Sequence, residues 1–178
     1  KLLIGTFFIA TFGVGQTNYS LSFDGNLGAT SNLDIINDNQ TFTISLYFYP
    51  QSGGQANQFI WEGTETSNPS FEGNAGNNNG FRFYLDNTLC ASTGTLELNN
   101  WYHFVGSFNG ETHEYIAYLN GNVIGSGFDA SHQGLENFYV GSRSGNVGVF
   151  TGLIDEFSVW NTYLDNYDNY IGLSGNED

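Results

Sequence analysis

The residues best suited to chemistry in this 178-residue chain are its carboxylates. Two of them, Asp155 and Glu156, stand side by side in the apolar run GLIDEFSVWN (152–161). A cooperating acid/base pair must converge on one reacting bond. In a strand, however, neighbours project to opposite faces, so Asp155 and Glu156 cannot work together. Strict alternation puts Leu153, Asp155, Phe157 and Val159 on one face and Ile154, Glu156, Ser158 and Trp160 on the other. Whichever face is buried then takes a carboxylate with it, and that carboxylate needs a partner. Glu62 and Glu65 read as strand-end residues without the spacing of a catalytic pair.

The remaining reactive groups offer little more. His103, His113 and His132 are scattered without metal-ligand spacing. His103 reads as packed and hydrogen-bonded. The single cysteine, Cys90, lies in an apolar, strand-like context and reads as a small buried hydrophobe. Arg82 and Arg143 are the only arginines and form no shared motif. These residues give no basis for catalysis, and the chain reads as a non-enzyme.

Binding chemistry is better represented. Tyr47 and Tyr49 alternate with core positions of TFTISLYFYP (41–50), and Tyr84 stands between Phe83 and Leu85. An aromatic ring can cover the apolar C–H face of a sugar while Asn, Asp or Gln takes its hydroxyls. Tyr47, Tyr49 and Tyr84, with the Asn-rich stretch 74–79, are the candidate ligand surface. Trp61, Trp101 and Trp160 read as core.

The elements that must carry these residues are strands. Aromatics make up 17% of the chain, with 16 Phe and 11 Tyr, and no long segment keeps a helical apolar period. Runs at 19–23, 41–50, 58–63, 81–86, 100–110, 114–127, 137–143 and 152–160 alternate with Gly, Asn, Asp and Ser turns, which predicts an all-β sandwich. Asn120-Gly121 between apolar runs predicts a tight hairpin. The polar stretch 64–80 has little to bury and is expected to be the most mobile loop, and 162–173 to carry a short helix.

Charge narrows the partners. Three Lys and Arg against 18 Asp and Glu give a net charge of −15, which repels nucleic acid and anionic membranes. Residues 1–15 carry one cation, an apolar run too short to span a bilayer and small residues at Gly13 and Gly15, as in a secretory signal peptide. Residues 16–178 then form a single domain. Secretion without a disulfide fits a bacterial exterior or cell surface.

In this order, FDG, TFTISLYFYP, WYHFVGSFNG, YLNGNVIGSG, YVGSRSG and GLIDEFSVWNTYLD resemble laminin G-like domains. These are pentraxin-related members of the concanavalin A-like lectin/glucanase superfamily, and the resemblance spans roughly residues 19–173. It implies a jelly roll of two antiparallel sheets with the first and last strands adjacent. It also implies continuation into further modules after the tail SGNED. The strand motif of the superfamily's glucanases, E-x-D-x-E, is absent. The resemblance implies a structural Ca²⁺ at Asp155 and the Asp24-Gly25 turn; such ions take six to eight oxygens. The implied partner is a glycan or an extracellular protein, and the alternative role is a structural module of a larger surface protein.

Overall fold

The computed structural model of the protein describes residues 20–26, 28–31, 40–51, 58–65, 68–76, 80–85, 88–129, 137–143 and 147–169. The expected leader at 1–15, residues 77–79 of the Asn-rich stretch, His132 and the residues from 170 onward lie outside these residues. Twelve strands make two six-stranded sheets. Sheet A runs in the order β1 (Leu21–Asp24), β12 (Thr151–Trp160), β3 (Phe42–Pro50), β8 (Tyr102–Phe108), β9 (Glu114–Leu119), β10 (Asn122–Phe128). Sheet B runs β2 (Ala29–Ser31), β11 (Asn137–Val140), β4 (Gln58–Glu65), β5 (Asn68–Gly76), β6 (Gly80–Leu85), β7 (Thr88–Ser92). All pairs within the two sheets are antiparallel, and β1 lies beside β12. This is the jelly-roll sandwich that the motifs imply.

Alternation in β3 sends Phe42, Ile44, Leu46 and Phe48 into the core. Phe104 of β8 meets Trp61 of β4 and Phe81 and Phe83 of β6, with ring centroids 5.0, 4.7 and 5.3 Å apart. Aromatic packing of this kind adds about 0.5–1.5 kcal/mol per pair beyond the area it buries. Asn120 and Gly121 take φ of 49° and 77°, the left-handed pair that a type I′ hairpin requires.

One expectation from the sequence is corrected here. The polar stretch 64–80 is not one loop: Asn68–Gly76 forms β5, paired with β4 on one side and β6 on the other. Backbone ladder bonds build this strand without the apolar alternation that marks its neighbours. Of the segment 162–173, expected to carry a short helix, residues 162–167 cross the outer face of sheet A as a strap and helix begins at Asp168–Asn169; the rest lies outside the described residues.

Candidate functional site

β12 resolves the question of its two carboxylates by a β-bulge. Asp155 pairs with Tyr47 and Ser158 with Ser45, so β12 spends one residue more than β3 over this span. The extra residue is Glu156, exposed and in the left-handed region at φ 49°. Asp155 Oδ1 accepts the Glu156 backbone N–H at 2.9 Å and caps the distortion. The bulge changes the strand's parity. Ile154 faces the core before it, and Phe157 and Val159 pack on the core after it. Leu153, Asp155, Ser158 and Trp160 therefore share the outer face, and no carboxylate enters the core. Strict alternation failed at this one residue.

The outer face of sheet A falls into two halves. Over one half lies the strap 161–169. Leu164 packs on Val105 and Tyr118, with Ile116, Trp160 and Tyr167 around them. Polar groups beneath it are satisfied by the strap's own backbone: Thr43 Oγ1 donates to Thr162 O at 2.6 Å, and Leu164 N–H donates to Ser107 Oγ at 2.8 Å. Tyr118 OH donates to Asp165 O at 3.1 Å. Burial, then the nearby Asp165 charge, pushes the Tyr118 phenol up.

At the border of the strap stands His103, only 4% exposed. Its ring stacks on Tyr47 at 4.2 Å, its Nε2 meets Ser45 Oγ at 2.9 Å and its Nδ1 meets Tyr167 OH at 2.6 Å. Burial pulls its pKa down to about 4, so the ring is neutral near pH 7. A neutral imidazole has one N–H and one lone pair, which suits a hydroxyl on each side. His103 is thus the packed, hydrogen-bonded residue that its strand position suggests.

The other half of the face is open. Here Asp155, Tyr47 and His103 form one cross-strand row. In the next row Leu153 pairs with Tyr49, and the Tyr49 ring lies 5.3 Å from that of Trp101. Trp101 is 44% exposed. It was expected in the core with Trp61 and Trp160. Trp61 is fully buried, and Trp160 is half-buried on the outer face. Parity accounts for this: Tyr102, Phe104 and Phe108 point inward, so Trp101 shares the outward phase of His103. The signal was present in WYHFVGSF, but a large apolar residue beside a strand was taken for core.

A stiff loop presents Trp101. Asn99 adopts φ 60°, a left-handed position that Asn tolerates, and its N–H donates to Pro50 O at 2.8 Å. Asn100 Nδ2 donates to Leu98 O at 3.2 Å, and Glu97 N–H donates to Tyr102 OH at 2.9 Å. These bonds fix the backbone on either side of Trp101, whose indole lies against Tyr49.

The structure does not bring all the expected site residues together. Tyr84 stands on β6 between the buried Phe83 and Leu85 and projects from the outer face of sheet B, across the sandwich from Tyr47 and Tyr49. The three tyrosines therefore do not share one surface: Tyr47 and Tyr49 lie on sheet A, and Tyr84 does not join them. Asp24 pairs with Thr151, four residues along β12 from Asp155, a separation of about 13 Å at strand rise. Asp24 Oδ1 instead accepts the Asn26 N–H at 3.0 Å, and Asn26, through its side chain first, holds the exposed carboxyl below its usual range. Asp24 and Asp155 therefore do not fit a shared calcium. Among the described residues no group of three or more His, Cys, Asp or Glu is placed to hold a metal.

Glu62 is not at a strand end but fully buried within β4, ion-paired with Arg143 Nε at 2.9 Å, while Arg143 also covers the Phe59 ring. A buried, paired carboxylate of this kind is poorly placed to exchange protons with a substrate. Cys90 is buried as expected.

Two antiparallel sheets packed face to face, with the last strand beside the first, define a jelly-roll sandwich. The chain belongs to the concanavalin A-like lectin/glucanases superfamily, whose laminin G family model matches residues 10–167. No curated protein matches the chain in sequence. Similar solved structures include domain 4 of AbnA, an extracellular arabinanase from Geobacillus stearothermophilus, in complex with arabinotriose. Identity is 18%, TM-score 0.67, with 84% of this chain and 78% of that one covered. The carbohydrate-binding module CBM40 of the Ruminococcus gnavus IT-sialidase, bound to α2,3 sialyllactose, gives 18%, 0.64, 88% and 96%. A pentraxin from Limulus polyphemus gives 13%, 0.65, 85% and 79%. At these identities the likeness is one of fold.

Proposed function

We propose that this domain is a non-catalytic carbohydrate-recognition module acting outside the cell, and that Trp101, Tyr49, Tyr47 and Asp155 form its binding face. The observation that carries the reading is an exposed tryptophan, braced by its own loop, in contact with a tyrosine on an open sheet face. The rings offer apolar surface to the C–H face of a sugar, and Asp155 accepts hydroxyl hydrogen bonds. Because the rings are already fixed, little conformational freedom is lost on binding. Arabinotriose and sialyllactose, bound by two domains of this fold, support a saccharide as the ligand class. The leader-like residues 1–15 support secretion, and the lone cysteine suits a bacterial exterior.

The reading of this face does not invoke calcium. A structural Ca²⁺ elsewhere in the domain stays a separate proposal, tested by calorimetric titration of the metal. Glycan-array screening followed by titration of the best oligosaccharide tests the module reading. Trp101→Ala is expected to weaken binding at least tenfold, equivalent to about 1.4 kcal/mol, while Tyr84→Ala leaves it unchanged. Failure to bind any glycan at millimolar concentration would favour a structural or protein-binding module instead.

A further inference from the structure

The charge around the aromatic strip points to the kind of saccharide it accepts. Among the described residues, the charged groups bordering the strip are Asp155 in its row, Glu156 on the bulge and Glu97 in the loop that carries Trp101. Farther along the same face come Asp24 and, on the strap, Asp165. Every one is acidic. The chain has three cations in all. Lys1 lies outside the described residues, Arg82 alternates with the buried Phe81 and Phe83 on the outer face of sheet B, and Arg143 is paired with Glu62. His103, the basic side chain of the face, is buried and neutral near pH 7.

A carboxylated sugar needs a cation or a set of N–H donors to replace its lost hydration. This face offers π-faces, the carboxylate of Asp155 and the uncharged donors of Trp101, Tyr47 and Tyr49, and its bordering charges are all negative. Neutral sugars suit it: their hydroxyls donate to Asp155, and their C–H faces cover Trp101 and Tyr49. We infer that the Trp101–Tyr49–Tyr47 face selects neutral oligosaccharides and excludes those bearing carboxylates. The inference rests on the module reading and adds its substrate class.

The experiment compares uronic-acid polysaccharides, homogalacturonan and alginate among them, before and after chemical reduction of their carboxyl groups. Each pair keeps its backbone and linkages and differs in charge. Binding is followed by calorimetry with the wild-type domain and Trp101→Ala, at 50 and 500 mM NaCl. For at least one pair, the reduced member is expected to bind at least tenfold more tightly than its acidic parent at low salt. Its affinity should change less than twofold with salt and be lost in Trp101→Ala. The acidic member should gain affinity in Glu97→Lys, a change at an exposed loop position that the fold tolerates, and in Asp155→Lys.

If the acidic member binds as tightly as the neutral one and still depends on Trp101, the neutral selection is overturned while the module reading stands. If neither member of any pair binds, and the array likewise finds no ligand, or if Trp101→Ala changes nothing, the module reading itself falls and the selection falls with it.

Discussion

His103 shows how one side chain ties the aromatic face to the strap. It sits between Ser45 and Tyr167 under the Tyr47 ring, and burial lowers its pKa to about 4 from an ordinary 6.5. The sign follows from proton linkage. Between pH 6.5 and 4 the unfolded chain binds a proton that the folded chain refuses, so stability falls as the pH drops through that window. Above pH 6.5 the contribution is complete and constant. The shift corresponds to at most about 3–4 kcal/mol at 1.36 kcal/mol per unit. Urea unfolding at pH 7 and pH 4.5 should therefore show a smaller acid loss in His103→Gln than in wild type; equal losses would reject the assignment. The outward phase of WYHFVGSF makes the exposure of Trp101 legible, whereas the burial of His103 in that same phase comes from the Tyr47 ring and from Tyr167 of the strap, which no local pattern shows.

At the level of elements, β12 is where the sequence misled most, because a bulge leaves almost no trace in composition. One extra residue at Glu156 lets both carboxylates stay out of the core while Ile154, Phe157 and Val159 all reach it. A left-handed conformation costs a non-glycine residue roughly 1–2 kcal/mol. Glu156→Gly should accordingly match or exceed wild-type stability by up to about 1 kcal/mol, whereas Glu156→Val should lose about 1–2 kcal/mol, both read from denaturant midpoints. Deleting Glu156 should leave a regular ladder of unchanged parity, and a folded protein. β5 was hidden for a different reason: its polar sequence is ordered by two neighbouring strands rather than by its own pattern. The hairpin at Asn120-Gly121 was plain because its turn chemistry is local. The buried apolar anchor of the strap is Leu164, which packs on Val105 and Tyr118 with Tyr167 beside it. Leu164→Ala should cost about 2–4 kcal/mol by leaving a cavity beneath it, and Tyr167→Phe less.

For the molecule as a whole the dominant fact is a net charge of −15 on 178 residues. It sets the sign of the charges around the aromatic face, yet it says nothing about fold, which came from strand periodicity and turns. Self-repulsion of this size favours the expanded chain, because unfolding moves like charges apart. The Debye length shortens from roughly 30 Å at 0.01 M salt to 10 Å at 0.1 M and 3 Å at 1 M, so added salt removes most of that repulsion. The few ion pairs that salt would weaken are less important here: with three cations in the chain, screening attraction loses little. The Glu62–Arg143 pair is shielded from salt because Glu62 is fully buried. At pH 7 the melting temperature should therefore rise by several degrees between 10 and 500 mM NaCl. Sodium chloride is the salt to use, since sulfate would add its own exclusion effect. The same rise should appear in Asp155→Asn and in Trp101→Ala, because it belongs to the summed charge and not to the binding face. A melting temperature that fell with sodium chloride would mean that local attractions outweigh the net charge. The negative field invoked at the aromatic face would then be too weak to discriminate among ligands.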